Sequence, residues 1–217
     1  MKEKSVNQPM EDAAWFSVGL PLSREDLYGF IRQLERLFRL NPHLDIKSWQ
    51  EEKPGQIYAG KLIQIDVLNE MTGLRQNMNL CVSVSDDQQE KSFTLTYDSS
   101  LKQATVFTVQ GLTPTTSKLV VKDRYRTDIS AAEREARLSE VDRSLVPWGE
   151  SIHTHFARRS RWGWLPFYNA FWDKLWIGMT PRQRRVSRLI LWTTVLEFVI
   201  FLFVFVIYWL ELMRGRF

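Results

Sequence analysis

The chain's 217 residues carry a formal net charge of +4, 44% hydrophobic residues and one cysteine, Cys81, which excludes an internal disulfide and fits a reducing compartment. About 160 residues lie outside an apolar C-terminal region, enough for one domain with a sizeable core. Residues 1–157 hold 19 basic and 22 acidic side chains, whereas residues 158–188 hold eight Arg or Lys against Asp173 alone. A nucleic-acid partner would need the basic patch on the folded domain, so this distribution argues against one.

Residues 1–12 are polar and lack the apolar run of a signal peptide, so the bulk of the chain is not expected to be exported. Ala13–Leu22 reads as a strand ending at Pro21. Ser23, with Asp26 three residues on, resembles an N-cap. Leu27, Phe30 or Ile31, Leu34, and Leu37 or Phe38 then recur at helical spacing until Pro42.

The period next falls to two. Leu44, Ile46 and Ser48 are predicted on one face, opposite Asp45, Lys47 and Trp49, and Lys53-Pro54-Gly55 is a turn signal. Ile57, Ala59, Lys61, Ile63, Ile65 and Val67 share one face of a long strand. Leu74, Gln76, Met78, Leu80, Val82 and Val84 do the same, and Asp86-Asp87-Gln88 makes the next turn. Strands follow with Phe93, Leu95 and Tyr97, with Val106 and Thr108, and with Leu119, Val121 and Tyr125. Six consecutive strands joined by short turns predict an antiparallel meander with one covered face. Ile129–Arg159 returns to helical spacing: Leu138, Val141 and Leu145 line its first half, Pro147 interrupts it, and Trp148, Ile152, His155 and Phe156 continue it.

Arg161–Met179 holds Trp162, Trp164, Phe167, Tyr168, Phe171, Trp172 and Trp176. Leu165, Tyr168, Trp172, Leu175 or Trp176, and Met179 recur at helical spacing, which suits an amphipathic helix in a headgroup region. The other reading is that these aromatics close over the domain's own pocket as core. Arg182, Arg184, Arg185 and Arg188 follow, and an anionic leaflet would attract them. Leu189–Leu212 is apolar enough, at about 1.5 Å per residue, to cross a hydrocarbon core roughly 30 Å thick. Trp192, Tyr208 and Trp209 lie near its ends, and the basic flank predicts residues 1–188 in the cytoplasm with Met213–Phe217 across the membrane.

Glu197 lies inside that stretch, where a carboxylate costs roughly 2.5–3.5 kcal/mol on insertion scales. It reads either as a contact with a membrane-protein partner, with Thr193 and Thr194 one turn away, or as a side chain snorkelling to the cytoplasmic face.

The order of strand, helix, six strands and long helix resembles the START/polyketide-cyclase superfamily, on the texture of FSVGLPLSREDLYGFIRQLERLFRLNPHLDIKSW and over roughly residues 13–160. The resemblance implies an α+β helix-grip fold, a curved antiparallel sheet wrapped around a long C-terminal helix. An interfacial segment (161–188), one transmembrane helix (189–212) and a short tail (213–217) would follow. It also implies an apolar small-molecule ligand such as a lipid, isoprenoid or polyketide. A strongly curved sheet cannot bring its whole concave face into contact with one helix, which leaves room for a pocket. Candidate residues in that cavity are Ser48, Lys61, Gln76, Met78, Tyr97, Thr108, Gln110 and Asp123, because a buried polar group needs a partner and a ligand can be one.

Little else in the sequence carries chemistry. His153 and His155 are two apart and diverge on a helix, no Cys/His cluster has metal-ligand spacing, and neither metal nor cofactor is expected. No nucleophile elbow or phosphate-binding loop occurs. His43, in the Asn41-Pro42-His43 turn, is the one weak acid–base candidate for a cyclase or dehydrase acting on a membrane-soluble intermediate. The sequence leaves three functions open: membrane-tethered binding or transfer of a hydrophobic molecule, such an enzyme, or a membrane-protein assembly factor.

Overall fold

The computed structural model describes residues 13–85, 91–98, 100–127, 129–136 and 143–214. The chain forms two compact units, Met1–Gly178 and Met179–Phe217. In the first, seven strands make one antiparallel sheet in the order β1-β7-β6-β5-β4-β3-β2. They are β1 (Ala13–Leu20), β2 (Leu44–Glu51), β3 (Leu62–Asn69), β4 (Leu74–Ser85), β5 (Lys91–Tyr97), β6 (Lys102–Thr113) and β7 (Thr116–Tyr125). The meander is therefore as the period-two pattern predicts, with β1 returning to pair with β7 from Ala13↔Arg124 to Leu20↔Ser117. The turn between β3 and β4 closes with Gly73 at φ 69, a left-handed conformation that favours glycine.

Helices α1 (Arg24–Ile31) and α2 (Leu34–Arg39) link β1 to β2. Ser23 caps α1, its hydroxyl accepting the Asp26 amide at 3.1 Å, which satisfies one of the orphan N–H groups of the first turn. The single helix expected from Ser23 to Pro42 is broken at Arg32–Gln33, yet both pieces keep the predicted face, with Leu27, Phe30, Ile31, Leu34, Leu37 and Phe38 all buried. After β7 come α3 (Ala131–Ala136) and the long α4 (Leu145–Trp162). The Asp86–Gln88 turn, Leu138 and Val141 lie outside the described residues.

One face of the sheet and the inner face of α4 make the core. Ile63, Ile65, Val67, Leu80, Val82, Phe93, Leu95, Phe107, Val109, Leu119 and Val121 point into it from the strands, and Trp148, Ile152 and Phe156 from α4. Gly149 allows α4 to press on β1: a Cβ there would stand 2.6 Å from Cδ2 of Phe16. The opposite face is polar, as in the cross-strand fork of Arg75 onto Asp66 at 2.9 and 2.5 Å. These bonds hold the Asp66 carboxyl below its ordinary value.

The strict alternation of faces is interrupted at three places, the last between Gly111 and Thr113, and the first two re-aim side chains. The β2–β3 register shifts between Ile46 and Ser48. This bulge turns Trp49 inward, beside Phe38 with ring centroids 5.7 Å apart, and leaves Ser48 exposed opposite Asp66. A second shift in the β6–β7 pairing lies between Lys102 and Ala104. The strand expected from Ile57 begins only at Leu62, because residues 52–61 form a loop.

Candidate functional site

The concave face has a filled centre and a more open end. In the centre the Trp148 indole meets Phe38 at 5.3 Å, Phe16 at 6.1 Å and Phe107 at 6.1 Å between centroids. Phe93 stacks on Phe107 at 4.8 Å. The indole N–H is not wasted in this apolar setting: it donates to the Leu37 carbonyl at 2.9 Å, fixing α4 against the end of α2. Asn41 Nδ2 donates to Ser144 Oγ at 2.6 Å, a second buried tie between the segments that flank those helices.

Toward the β3–β4 turn the character changes. Along the inward row of β4, Leu80 and Val82 are buried, whereas Leu74, Gln76 and Met78 are only half-buried. Gln76 lies opposite Val67 and Met78 opposite Ile65. Level with Leu80 and Val82, a chain of polar groups crosses β5, β6 and β7 on the same face. The Tyr97 hydroxyl bonds Thr105 Oγ1 at 3.0 Å, Thr105 donates to Asp123 Oδ1 at 2.6 Å, and the Lys102 ammonium pairs with Asp123 Oδ2 at 2.7 Å. Lys102 also lies over the Tyr97 ring, 5.6 Å from its centroid. Asp123 has no exposure and Lys102 only 12% in its side chain, so the ion pair is held inside the protein. The bulge after Lys102 makes the cluster possible, since it brings Lys102 and Thr105, three residues apart, to one face.

Among the sequence candidates, the structure joins Tyr97 and Asp123 in this cluster and leaves Gln76 and Met78 half-buried on the inward row of β4; it adds Lys102 and Thr105, which sequence reasoning missed. It separates the others. Thr108 and Gln110 alternate with inward Phe107 and Val109 and so lie on the opposite face, as does Ser48. Lys61 is buried, but its ammonium is engaged by the Lys53 carbonyl at 2.6 Å, the Gln56 carbonyl at 2.5 Å and the Glu51 carboxylate at 2.6 Å. It is a clamp on the loop between β2 and β3, not a residue facing a ligand. His43 is half-buried in the turn before β2, its amide donating to Asn41 Oδ1 at 3.0 Å and its carbonyl accepting from the Glu70 amide at 2.8 Å.

Elsewhere, Phe16, Val18, Gly149, Glu150 and His153 line an open groove of about 520 Å³ between β1 and α4. A shallower one of about 360 Å³ crosses the ends of β2 and β3 near Glu51, Leu62 and Gln64. His153 opens onto the first groove, while His155 stacks on Phe30 at 6.0 Å, so the two histidines diverge. No group of three or more metal-ligating side chains occurs among the described residues.

Beyond α4 the backbone forms α5 (Pro166–Ala170) and a π-helical turn (Phe171–Trp176). The Ile177 amide closes that turn on the Trp172 carbonyl at 3.1 Å. The second unit begins with α6 (Pro181–Arg214). A capping box starts it: Thr180 Oγ1 accepts from the Gln183 amide at 3.2 Å, and the Thr180 amide donates to Gln183 Oε1 at 2.9 Å. Arg182, Arg184, Arg185 and Arg188 thus stand on the first turns of the same helix that carries the apolar stretch. With a mean hydropathy of 2.6 over its most apolar window, α6 is the one helix among the described residues long and apolar enough to cross a membrane.

The Zhui aromatase/cyclase from Streptomyces sp. R1128 matches with a TM-score of 0.50 at 12% identity, covering 70% of this chain and 96% of that one. The fold is a START-like helix-grip fold. Further matches to this helix-grip unit are a START superfamily protein from Mycobacterium smegmatis (TM-score 0.45, 16% identity, 67% of this chain and 97% of that one) and major latex-like protein 151 from Panax ginseng (TM-score 0.45, 11% identity, 68% and 98%). No family model and no curated protein matches the sequence.

Proposed function

We propose that this chain binds a hydrophobic small molecule, a lipid or isoprenoid-like compound, at the open end of its helix-grip sheet while α6 tethers it to a membrane with the sheet domain on the cytoplasmic side. The observation that carries the reading is the row Leu74–Gln76–Met78. Side chains that point into the concave face remain partly accessible there, and the buried Tyr97–Thr105–Asp123–Lys102 cluster lies on that same face. An apolar recess with a few convergent polar groups at one end is the usual form of a small-molecule site. The tether adds effective concentration, since a ligand dissolved in the bilayer is then never far from the domain. The helix-grip architecture also hosts cyclase-type chemistry, as the name of the Streptomyces neighbour says. Here the cluster's groups bond to one another, which favours holding a ligand over transferring its protons.

The test is mass spectrometry of organic extracts from the detergent-purified full chain. One enriched apolar species is expected. Met78→Trp, which fills the open end, should lower its retention several-fold, while Thr108→Val on the opposite face should leave it unchanged. A chain that co-purifies with no enriched species, or one whose ligand is indifferent to Met78→Trp, sinks the assignment.

A further inference from the structure

The helix between α4 and α6 is apolar on two sides, and only one is covered. Tyr168 meets Trp172 in a tilted contact and Trp172 meets Trp176 edge to face, with centroids 5.7 and 4.6 Å apart, and the Arg158 guanidinium lies 5.5 Å over the Trp172 ring. Burial raises the Tyr168 phenol pKa. Ile177, just after the π-helical turn, is buried in the domain core and pins that end of the segment. On the other side Trp164, Phe167, Phe171 and Leu175, spaced by three, four and four, present an uncovered row, with Trp164 74% and Phe167 86% exposed. Trp162, under the Arg161 guanidinium at 5.6 Å, extends it. The helical spacing puts Leu165, Tyr168, Trp172, Leu175 or Trp176, and Met179 on one face; in the structure Tyr168, Trp172 and Trp176 are half-buried, while Trp164, Phe167, Phe171 and Leu175 are exposed.

A contiguous exposed apolar row of this kind marks a binding surface. The geometry points to its occupant: an anionic lipid leaflet, with the row lying in the headgroup layer. Six residue steps separate Leu175 from Pro181, so the chain allows at most about 22 Å between the end of the row and the start of α6. The apolar stretch begins eight residues further on at Leu189, about 12 Å along the helix, so a bilayer that takes α6 is within about 34 Å of the row. Along the chain, Arg158 and Arg161 precede the row and Arg182, Arg184, Arg185 and Arg188 follow it, and anionic headgroups attract such cations. The inference rests on α6 spanning a membrane, the tether of the proposed function. It adds that Trp164, Phe167, Phe171 and Leu175 form a second, in-plane contact.

The full chain in a Cys81→Ala background, reconstituted into vesicles of phosphatidylcholine with phosphatidylserine, separates the possibilities. Spin labels are placed singly at Trp164→Cys, Phe167→Cys and Leu175→Cys, in α6 at Phe203→Cys, and on the exposed sheet residue Leu62→Cys. Collision with oxygen against a water-soluble nickel chelate gives the depth of each. Residues 164, 167 and 175 should share one depth, about 5–10 Å below the headgroup surface, with Phe203 deeper and Leu62 in water. If the row is as nickel-accessible as Leu62 while Phe203 is in lipid, the in-plane contact is wrong and the tether stands. If Phe203 is in water but the row is at depth, the spanning role of α6 fails and the surface contact survives. Spin–spin broadening at residue 167 that disappears on dilution with unlabelled chain would mean a second copy covers the row, which also overturns the proposal. Agreement of three independent labels guards against one substitution that disturbs folding.

Discussion

Asp123 and Glu197 are both acids set among apolar residues, and the two halves of the molecule treat them oppositely. The sheet brings Thr105 and Lys102 to Asp123 from a neighbouring strand, at 2.6 and 2.7 Å, so that a fully buried carboxylate is paired and hydrogen-bonded. A lone helix has only its own turns to offer. The hydroxyl of Thr193, one turn before Glu197, bonds back to the Leu189 carbonyl at 3.1 Å. The apolar side chains divide in the same way: Phe107 is buried completely, whereas Phe203 is 67% exposed. One unit completes its interactions internally, and the other presents its chemistry outward and depends on what surrounds it.

The largest effect should come from the apolar pair. Phe107→Ala should cost about 4 kcal/mol of domain stability through lost transfer and a cavity beside Trp148, whereas Phe203→Ala should leave the domain's chemical unfolding midpoint in detergent unchanged. Equal losses would erase the division between the units. Next, Lys102→Met leaves Asp123 buried without its cation and should destabilise the domain by about 3 kcal/mol, read from the same denaturation curves. Glu197→Leu acts in the other direction, easing membrane insertion by about 2.5 kcal/mol, as a shift in the inserted fraction of a translation-coupled assay. If Glu197→Leu also releases a co-purifying membrane protein, the carboxylate had a partner outside the chain.

Smaller effects refine the comparison. Ser23→Ala removes a cap from α1 and should lower domain stability by about 1 kcal/mol. Thr180→Ala removes the corresponding cap of α6 and should instead show as faster amide exchange in its first turn. Asp66→Asn probes the outer face and should have the smallest effect. The folded pKa of Asp66 lies below the ordinary 3.8, chiefly through its bonds to Arg75. Its contribution is therefore present above that ordinary value and is lost as the pH falls through the lower, folded one. The stability difference between the native chain and Asp66→Asn should be small at pH 7 and should vanish as the pH falls through that lowered folded value, on titrated thermal melts.

Where the alternation of apolar residues was clean, the face of each strand was legible. Ile63, Ile65, Val67, Leu80, Val82, Phe93 and Leu95 all point where their period places them. It failed at two places for one reason. In β6 the apolar residues Val106, Phe107 and Val109 are compatible with either face, and the bulge after Lys102 chose Thr105, Phe107 and Val109, which put Thr108 and Gln110 on the opposite side. In β2 the bulge between Ile46 and Ser48 exchanged Ser48 for Trp49. A bulge costs one residue of register and reverses every assignment after it, and no local pattern announces it.

By itself, then, the sequence determined the order of elements, the inward faces of the regular strands, the cap at Ser23 and the apolar length of α6. Each is a property of neighbours along the chain, governed by period, capping chemistry or hydropathy. Only the tertiary structure decided that Lys61 clamps a loop, that Lys102 and Thr105 join Asp123, and that Trp164 and Phe167 are exposed while Trp172 is half-buried. Those outcomes depend on strand register and on which of two apolar helix faces finds a surface first, and both are settled between segments rather than within one.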